Sequence, residues 1–264
     1  MPVENRAGHP TFWQRFGSGP RPALALHCTL AHSGAWAGAA AHLPELALTA
    51  FDMPGHGQSG AWAGTDYHGD VTRIAASFID RPLDIIAHSF GASVALRLAV
   101  AAPEAVRSLT LIEPVLFAAA KGTAEFDAQE ADHARFRAWI DAGEAEAATR
   151  AFVDQWGAGA PWSALDARLR AAFVAQIPLV MAGAPANFED TARILREGGL
   201  ESIDAPVMLV RGAESPAVMA RICEAIAARL PDVGLAVVPG AGHMLPVTHA
   251  RQVAELIGMN LSRE

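Results

Sequence analysis

The chain has 264 residues, just over half of them hydrophobic, and its 28 acidic against 20 basic side chains leave a net charge of −8. That length accommodates one large domain or a core with one substantial insertion, and the apolar content excludes a disordered chain. A single lysine, Lys121, and no basic cluster argue against a nucleic-acid partner.

Two cysteines, Cys28 and Cys223, are too few for a disulfide scaffold in a chain of this size and are expected to be reduced and buried. The first nineteen residues, MPVENRAGHPTFWQRFGSG, lack the apolar stretch of a secretory signal. No run reaches the roughly 18 apolar residues of a membrane span. The expectation is a cytoplasmic protein, monomer or homodimer, with no membrane partner.

Taken in chain order, apolar runs bounded by turn signals predict strands over residues 22–29, 46–54, 83–89, 108–114, 206–212 and 234–240. They are nearly continuous rather than alternating, as in strands buried on both faces. Helical patterns over 66–80, 90–102, 216–230 and 246–261 fill the gaps, which predicts a parallel sheet with helices on both faces. The rhythm breaks once. Residues 117–200 carry no strand pattern and are rich in Ala, Glu, Asp and Arg at helical spacing, so an all-helical insertion is expected there. The core is then residues 1–116 and 201–264.

After the strand at 46–54 comes GHGQSG, Gly55 to Gly60, which matches the G-x-G-x-x-G dinucleotide fingerprint. That mechanism needs its last glycine inside the first turn of a helix. Here the chain continues AWAGTDYHGD, too broken by glycine to begin one, and the strand before it is not the first. A nucleotide site is not expected.

Chemistry concentrates at AHSFG, residues 87–91, where a strand gives way to a helix at a serine. A serine hydroxyl becomes a nucleophile when a histidine takes its proton and an acid orients that histidine. Such a serine sits on a crowded turn that needs small residues two positions away on either side; Gly91 provides one and Ala87 the other. The plainer reading is that Ser89 only caps the helix. His243, on the loop VVPGAGH before the last helix, falls at the carboxyl end of the sheet, where open α/β sheets place their sites. His249 falls within the final helical pattern and reads as a surface residue.

Four motifs in order resemble the α/β-hydrolase fold with a helical cap: LALHCTLAHSGAW around His27 to Trp36, DMPGHGQS at 52–59, AHSFG, and GAGH ending at His243. The resemblance spans roughly residues 24–261 and implies a mostly parallel eight-stranded sheet with helices on both faces. It explains the GHGQSG stretch as loop packing. It also implies an oxyanion hole from the backbone N–H groups of Thr29 and Phe90, with Cys28 standing where the family has glycine and expected only to pack. His27, His56 and His88 are expected to be hydrogen-bonded structural groups.

The acid is open. The family's usual position, three residues past Gly212, holds Ser215. Glu113, which ends the strand after the nucleophile strand, is favoured, because some branches keep the acid there and a carboxylate ending a buried strand needs a partner. Glu214 is the alternative. Haloalkane dehalogenases and epoxide hydrolases of this fold use an aspartate nucleophile, which Ser89 replaces. The resemblance therefore implies a serine hydrolase, with no cofactor and no metal, that cleaves a small or medium apolar ester, or a thioester, lactone or C–C bond, through a Ser-His-Glu triad and an acyl-enzyme. The rival readings are a small-molecule binding protein on the same fold and a cofactor-free lyase or perhydrolase.

Overall fold

The computed structural model describes residues 3–263. Eight strands form one sheet: β1 (Val3–Arg6), β2 (His9–Phe16), β3 (Arg21–Leu26), β4 (Leu46–Phe51), β5 (Leu83–His88), β6 (Val106–Ile112), β7 (Val207–Gly212) and β8 (Val233–Val238). Their spatial order is β1-β2-β4-β3-β5-β6-β7-β8. The pairs β3–β4, β3–β5, β5–β6, β6–β7 and β7–β8 are parallel, whereas β1–β2 and β2–β4 are antiparallel. The helices are α1 (Ala37–Ala40), α2 (Tyr67–Ala76), α3 (Phe90–Ala101), α4 (Ala124–Asp141), α5 (Ala145–Trp156), α6 (Ala167–Glu189), α7 (Val218–Ala227), α8 (Leu245–Thr248) and α9 (Ala250–Leu261).

The continuous apolar runs follow from burial on both sides of this sheet. Successive side chains point to opposite faces, so each strand feeds two cores. Leu24, Leu26, Ile85 and Leu109 pack with α2, α3 and α7 on one face, while Ala23, Ala25, Ile86 and Met208 pack with α1 and α9 on the other. At the lower end of β5, Asp84 is fully buried yet accepts hydrogen bonds from Arg21 Nε at 2.6 Å, Arg107 Nε at 3.2 Å and Ser108 Oγ at 2.7 Å. Burial pushes its carboxyl up, but these donors outweigh burial and hold it below the usual range.

The hairpin β1–β2 is absent from the sequence reading, which starts the sheet at residue 22. β1 is the edge strand with β2 beside it, and of their residues only Thr11 and Phe12 are buried, so they carry no continuous apolar run. The turn is made by Ala7 and Gly8, both left-handed with φ of 48° and 87°.

Between β6 and β7 every regular element of the described chain is a helix, and a small apolar cluster of Phe136, Ala148 and Ile177 ties α4, α5 and α6 together. Helix α6 seats this layer on the core. A Cβ on Gly183 would stand 2.6 Å from the Phe90 ring, and one on Gly55 would stand 2.7 Å from Leu179. By length and composition alone α6 is long and apolar enough to cross a membrane, the one such helix among the described residues, contrary to the sequence expectation of no such run. The continuity emerges only from the helix, because Arg168, Arg170, Pro178 and Pro185 interrupt the sequence. Its Ile177, Gly183, Ala184, Ala186 and Asn187 are buried against the rest of the chain.

Candidate active site

Three loops at the carboxyl ends of the central strands converge on Ser89. Strand β5 ends at His88 and α3 starts at Phe90, so Ser89 makes the whole turn alone, with φ 55° and ψ −118°. That backbone is costly for a residue with a Cβ, and such strain persists only where the surroundings over-determine it. Gly91 is part of the reason the turn closes: a Cβ there would stand 2.6 Å from the carbonyl oxygens of Leu26 and His27. The Ser89 side chain caps no helix N–H. Instead its Oγ lies 2.9 Å from His243 Nε2.

His243 follows β8, on the loop that begins α8. Its Nδ1 lies 3.0 Å from Glu113 Oε2, so Ser89, His243 and Glu113 form one continuous hydrogen-bond chain, each of them buried. Glu113 is fully buried and sits just past β6 at φ 52°, a second left-handed non-glycine residue at the site. Its other oxygen, Oε1, accepts from the Gly212 N–H at 2.7 Å and from Ser215 Oγ at 2.8 Å. The serine at the family's usual acid position thus anchors the carboxylate that comes from the neighbouring strand. Glu214 is exposed on the surface of that loop.

His88 Nε2–H donates to the His243 carbonyl at 2.9 Å and fixes the histidine loop; burial, with His243 close by, pushes its own pKa well down. His27 and His56 hold the loop that carries Thr29. His27 Nδ1–H donates to the Cys28 carbonyl at 2.7 Å, and its Nε2 accepts from the Met53 N–H at 2.9 Å. His56 Nδ1–H donates to the Pro54 carbonyl at 3.1 Å, and its Nε2 accepts from the Leu30 N–H at 3.1 Å. Both rings must be neutral to bond in this way. Burial brings His27 down to about 4 and His56 to about 3. Asp52 completes the clasp by accepting from the Ser33 and Gln58 N–H groups at 2.7 and 2.8 Å. The GHGQSG stretch is this turn, and no helix begins within it.

Cys28 is buried with its Sγ 3.8 Å from Met244 Sδ, and burial pushes its thiol up to about 12. Cys223 is likewise buried and pushed up to about 12. Neither is a thiolate at neutral pH. His249 lies between α8 and α9, away from Ser89, beside Thr248 Oγ1 at 2.9 Å.

A cavity of about 240 Å³ opens over Ser89, floored by Thr29, Phe90 and His243 and roofed from α4, α5 and α6. Trp156 meets the His243 ring edge-on at 4.8 Å, and Phe117 stacks on Phe188 at 4.5 Å. The lid side chains Gln129 and Asn187 were not singled out from sequence as site residues. They sit on helices whose faces are not assigned by spacing alone, and only the seating of the helices directs them inward.

An eight-stranded, mostly parallel sheet with a buried Ser-His-Glu chain on its strand-to-helix elbow defines the architecture of an α/β hydrolase. Residues 22–250 match the family described as alpha/beta hydrolase fold, and the chain belongs to it. It is 38% identical over 107 residues to Lipase LipV of Mycobacterium tuberculosis, a match covering 39% of this chain and 41% of that protein. The chain therefore spans less than half of that relative's length in the matched region. It is 25% identical over 232 residues to a pimeloyl-[acyl-carrier protein] methyl ester esterase of Nitrosomonas europaea, covering 86% of this chain and 90% of that one. A haloalkane dehalogenase loop variant from Bradyrhizobium elkanii shares the fold, with a TM-score of 0.74 at 22% identity over 98% of this chain and 96% of that one.

Proposed function

We propose that the protein is a serine hydrolase acting on carboxylic esters, with Ser89 as nucleophile. The observation that carries this reading is the unbroken chain from Ser89 Oγ through His243 to Glu113, with bonds of 2.9 and 3.0 Å. Ser89 attacks the ester carbonyl as its proton passes to His243 Nε2, and the imidazolium that forms is stabilised at Nδ1 by Glu113. The backbone N–H groups of Thr29 and Phe90 hold the negative charge on the carbonyl oxygen. Collapse of the tetrahedral intermediate expels the alcohol, which takes the proton from His243 and leaves Ser89 acylated. Water, deprotonated by the same histidine, then attacks the acyl group, and the histidine returns that proton to Ser89 Oγ as the acid leaves. No step in this sequence calls for a cofactor or a metal.

The aromatic roof and a cavity of about 240 Å³ favour a small or medium ester whose acyl or alcohol part enters a partly open, mainly apolar space. Similarity to a mycobacterial lipase and to a methyl ester esterase of Nitrosomonas europaea supports the same bond type.

A fluorophosphonate probe should label the wild-type protein and fail to label Ser89→Ala. Hydrolysis of p-nitrophenyl acetate and butyrate should fall about 10⁴-fold or more in that variant. Absence of both labelling and Ser89-dependent turnover would sink the hydrolase reading and favour a binding protein on the same fold.

A further inference from the structure

Helix α5 reaches the site at its last residue, Trp156. Gly157 fixes that end: its N–H donates to the Val153 carbonyl at 2.8 Å, and a Cβ on it would stand 2.4 Å from the same oxygen. The Trp156 side chain is buried against His243, with ring centroids 4.8 Å apart and planes at 76°. The indole is held in turn. It meets Phe117 edge-on at 6.1 Å, Phe117 stacks on Phe188 of α6 at 4.5 Å, and Phe188 stacks on His133 of α4 at 4.4 Å. All three long helices of the roof thus contribute to one chain of rings that ends on His243.

The His243 ring is bonded at Nε2 to Ser89 Oγ at 2.9 Å and at Nδ1 to Glu113 Oε2 at 3.0 Å. Hydrogen bonds to ring nitrogens are directed within the ring plane, so this pair resists sliding much better than it resists tilting about the line between the partners. Turnover also gives up the Nε2 bond to serine, because the proton goes on to the leaving alcohol and water then takes the place of the serine. Contact with other rings limits the tilt. His88 of β5 lies 5.0 Å away at 40°, and Trp156 comes down from the roof. An edge-on pair at the Trp156 spacing is attractive in itself, beyond the area it buries.

We propose that Trp156 is a positioning residue for His243, so that the roof completes the proton-transfer geometry as well as bounding the cavity. A displacement of about 1 Å in a reacting group can cost about 10²-fold in rate. His243 serves both the attack of Ser89 and the attack of water, so losing the Trp156 contact lowers kcat for every ester, whatever its length. A side chain that only lines the cavity acts on KM instead, and more strongly for longer esters. The inference rests on the ester-hydrolase reading and deepens it.

The test measures kcat and KM separately for p-nitrophenyl acetate and butyrate, with thermal unfolding of each variant as the check on folding. Trp156→Leu removes the ring and should lower kcat about 10-fold or more for both esters, with KM within about threefold of wild type. Trp156→Phe keeps a ring beside His243 and should recover most of that loss. Gly157→Ala leaves the indole intact but forces the turn that carries it to move, and should lower kcat about threefold or more for both esters. It decides the matter if Trp156→Leu does not fold, and an unchanged kcat there then overturns the proposal. In a folded Trp156→Leu, a kcat within about twofold of wild type, or a loss confined to KM, overturns the positioning role and leaves the hydrolase standing. Equal losses in Trp156→Phe and Trp156→Leu overturn it as well, since they assign the effect to lost bulk rather than to the ring contact. No Ser89-dependent turnover in the wild-type protein removes both readings.

Discussion

Two carboxylates compete for the same histidine in the sequence, and their surroundings separate them. Glu113 is enclosed, with one oxygen on His243 Nδ1 and the other on the Gly212 N–H and Ser215 Oγ. Glu214 faces solvent. If Glu113 orients the histidine and stabilises its charged form, Glu113→Gln should lower kcat about 10³- to 10⁴-fold with KM little changed, because the amide favours the wrong imidazole tautomer. Glu214→Gln should change kcat less than about twofold. Steady-state hydrolysis of p-nitrophenyl butyrate by the two variants distinguishes them, and a large loss confined to Glu214→Gln would contradict the assignment. What sequence offered here was a choice, not a geometry. A strand-ending glutamate and a loop glutamate differ in one visible respect, the apolar run before the first. The carboxylate anchor at Ser215 was out of reach, because a serine in an acid's customary place reads as a loss until its hydroxyl is seen donating to the acid from the next strand.

At the scale of elements, the parallel strands were legible because burial on both faces writes itself as an unbroken apolar run. The hairpin β1–β2 was not, because its residues are mostly only partly covered and leave no such run. The helices above the site were legible as a helical cap, but their inward faces were not: spacing shows that residues 167–189 can be helical, and packing decides that Asn187 and Gly183 turn inward. Gly183 is the contact through which α6 rests on the elbow, since a Cβ there would meet Phe90 Cε2 at 2.6 Å. The Phe90 ring cannot easily withdraw, because it stacks on Tyr67 at 5.3 Å and meets His68 edge-on at 5.4 Å. Gly183→Ala should therefore lift α6 or twist the residue whose N–H is assigned to the oxyanion hole. Helix propensity works the other way, as alanine is better than glycine in a helix by about 1 kcal/mol. The expected outcome is a thermal midpoint within a few degrees of wild type and a kcat/KM reduced about 10-fold or more. Unaltered kinetics would show that the roof does not bear on the elbow.

The whole molecule carries an acid-sensitive burden that no single motif displays. His27, His56, His68 and His88 are all buried, and burial is the leading cause that lowers each of them: to about 4 for His27, to about 3 for His56 and His68, and well down for His88. Each is therefore neutral in the folded protein, whereas in the unfolded chain an imidazole binds its proton near pH 6.5. Between those values the unfolded chain holds more protons than the folded one, so stability rises with pH across that window and is lost as pH falls. The contribution is complete above about pH 6.5. It drains away down to about pH 4 for His27 and further, to about pH 3, for His56 and His68. Each site adds a slope of at most about 1.4 kcal/mol per pH unit. Asp84, held low by Arg21, Arg107 and Ser108, adds to the loss only below its usual range. The thermal midpoint should be nearly flat from pH 8 to 7 and fall steeply between pH 6 and 4, more than surface carboxylates account for. His68 is the group on which to check this, since it lies on α2 outside the hydrogen-bond chain of Ser89, and its Nε2 has no partner among the described residues. His68→Gln removes one titrating ring, so the fall in midpoint between pH 6 and 4 should become shallower than in wild type, whatever the variant's midpoint at pH 8. A midpoint that stays level to pH 4.5 in the wild-type protein would mean that these rings accept their protons without unfolding it.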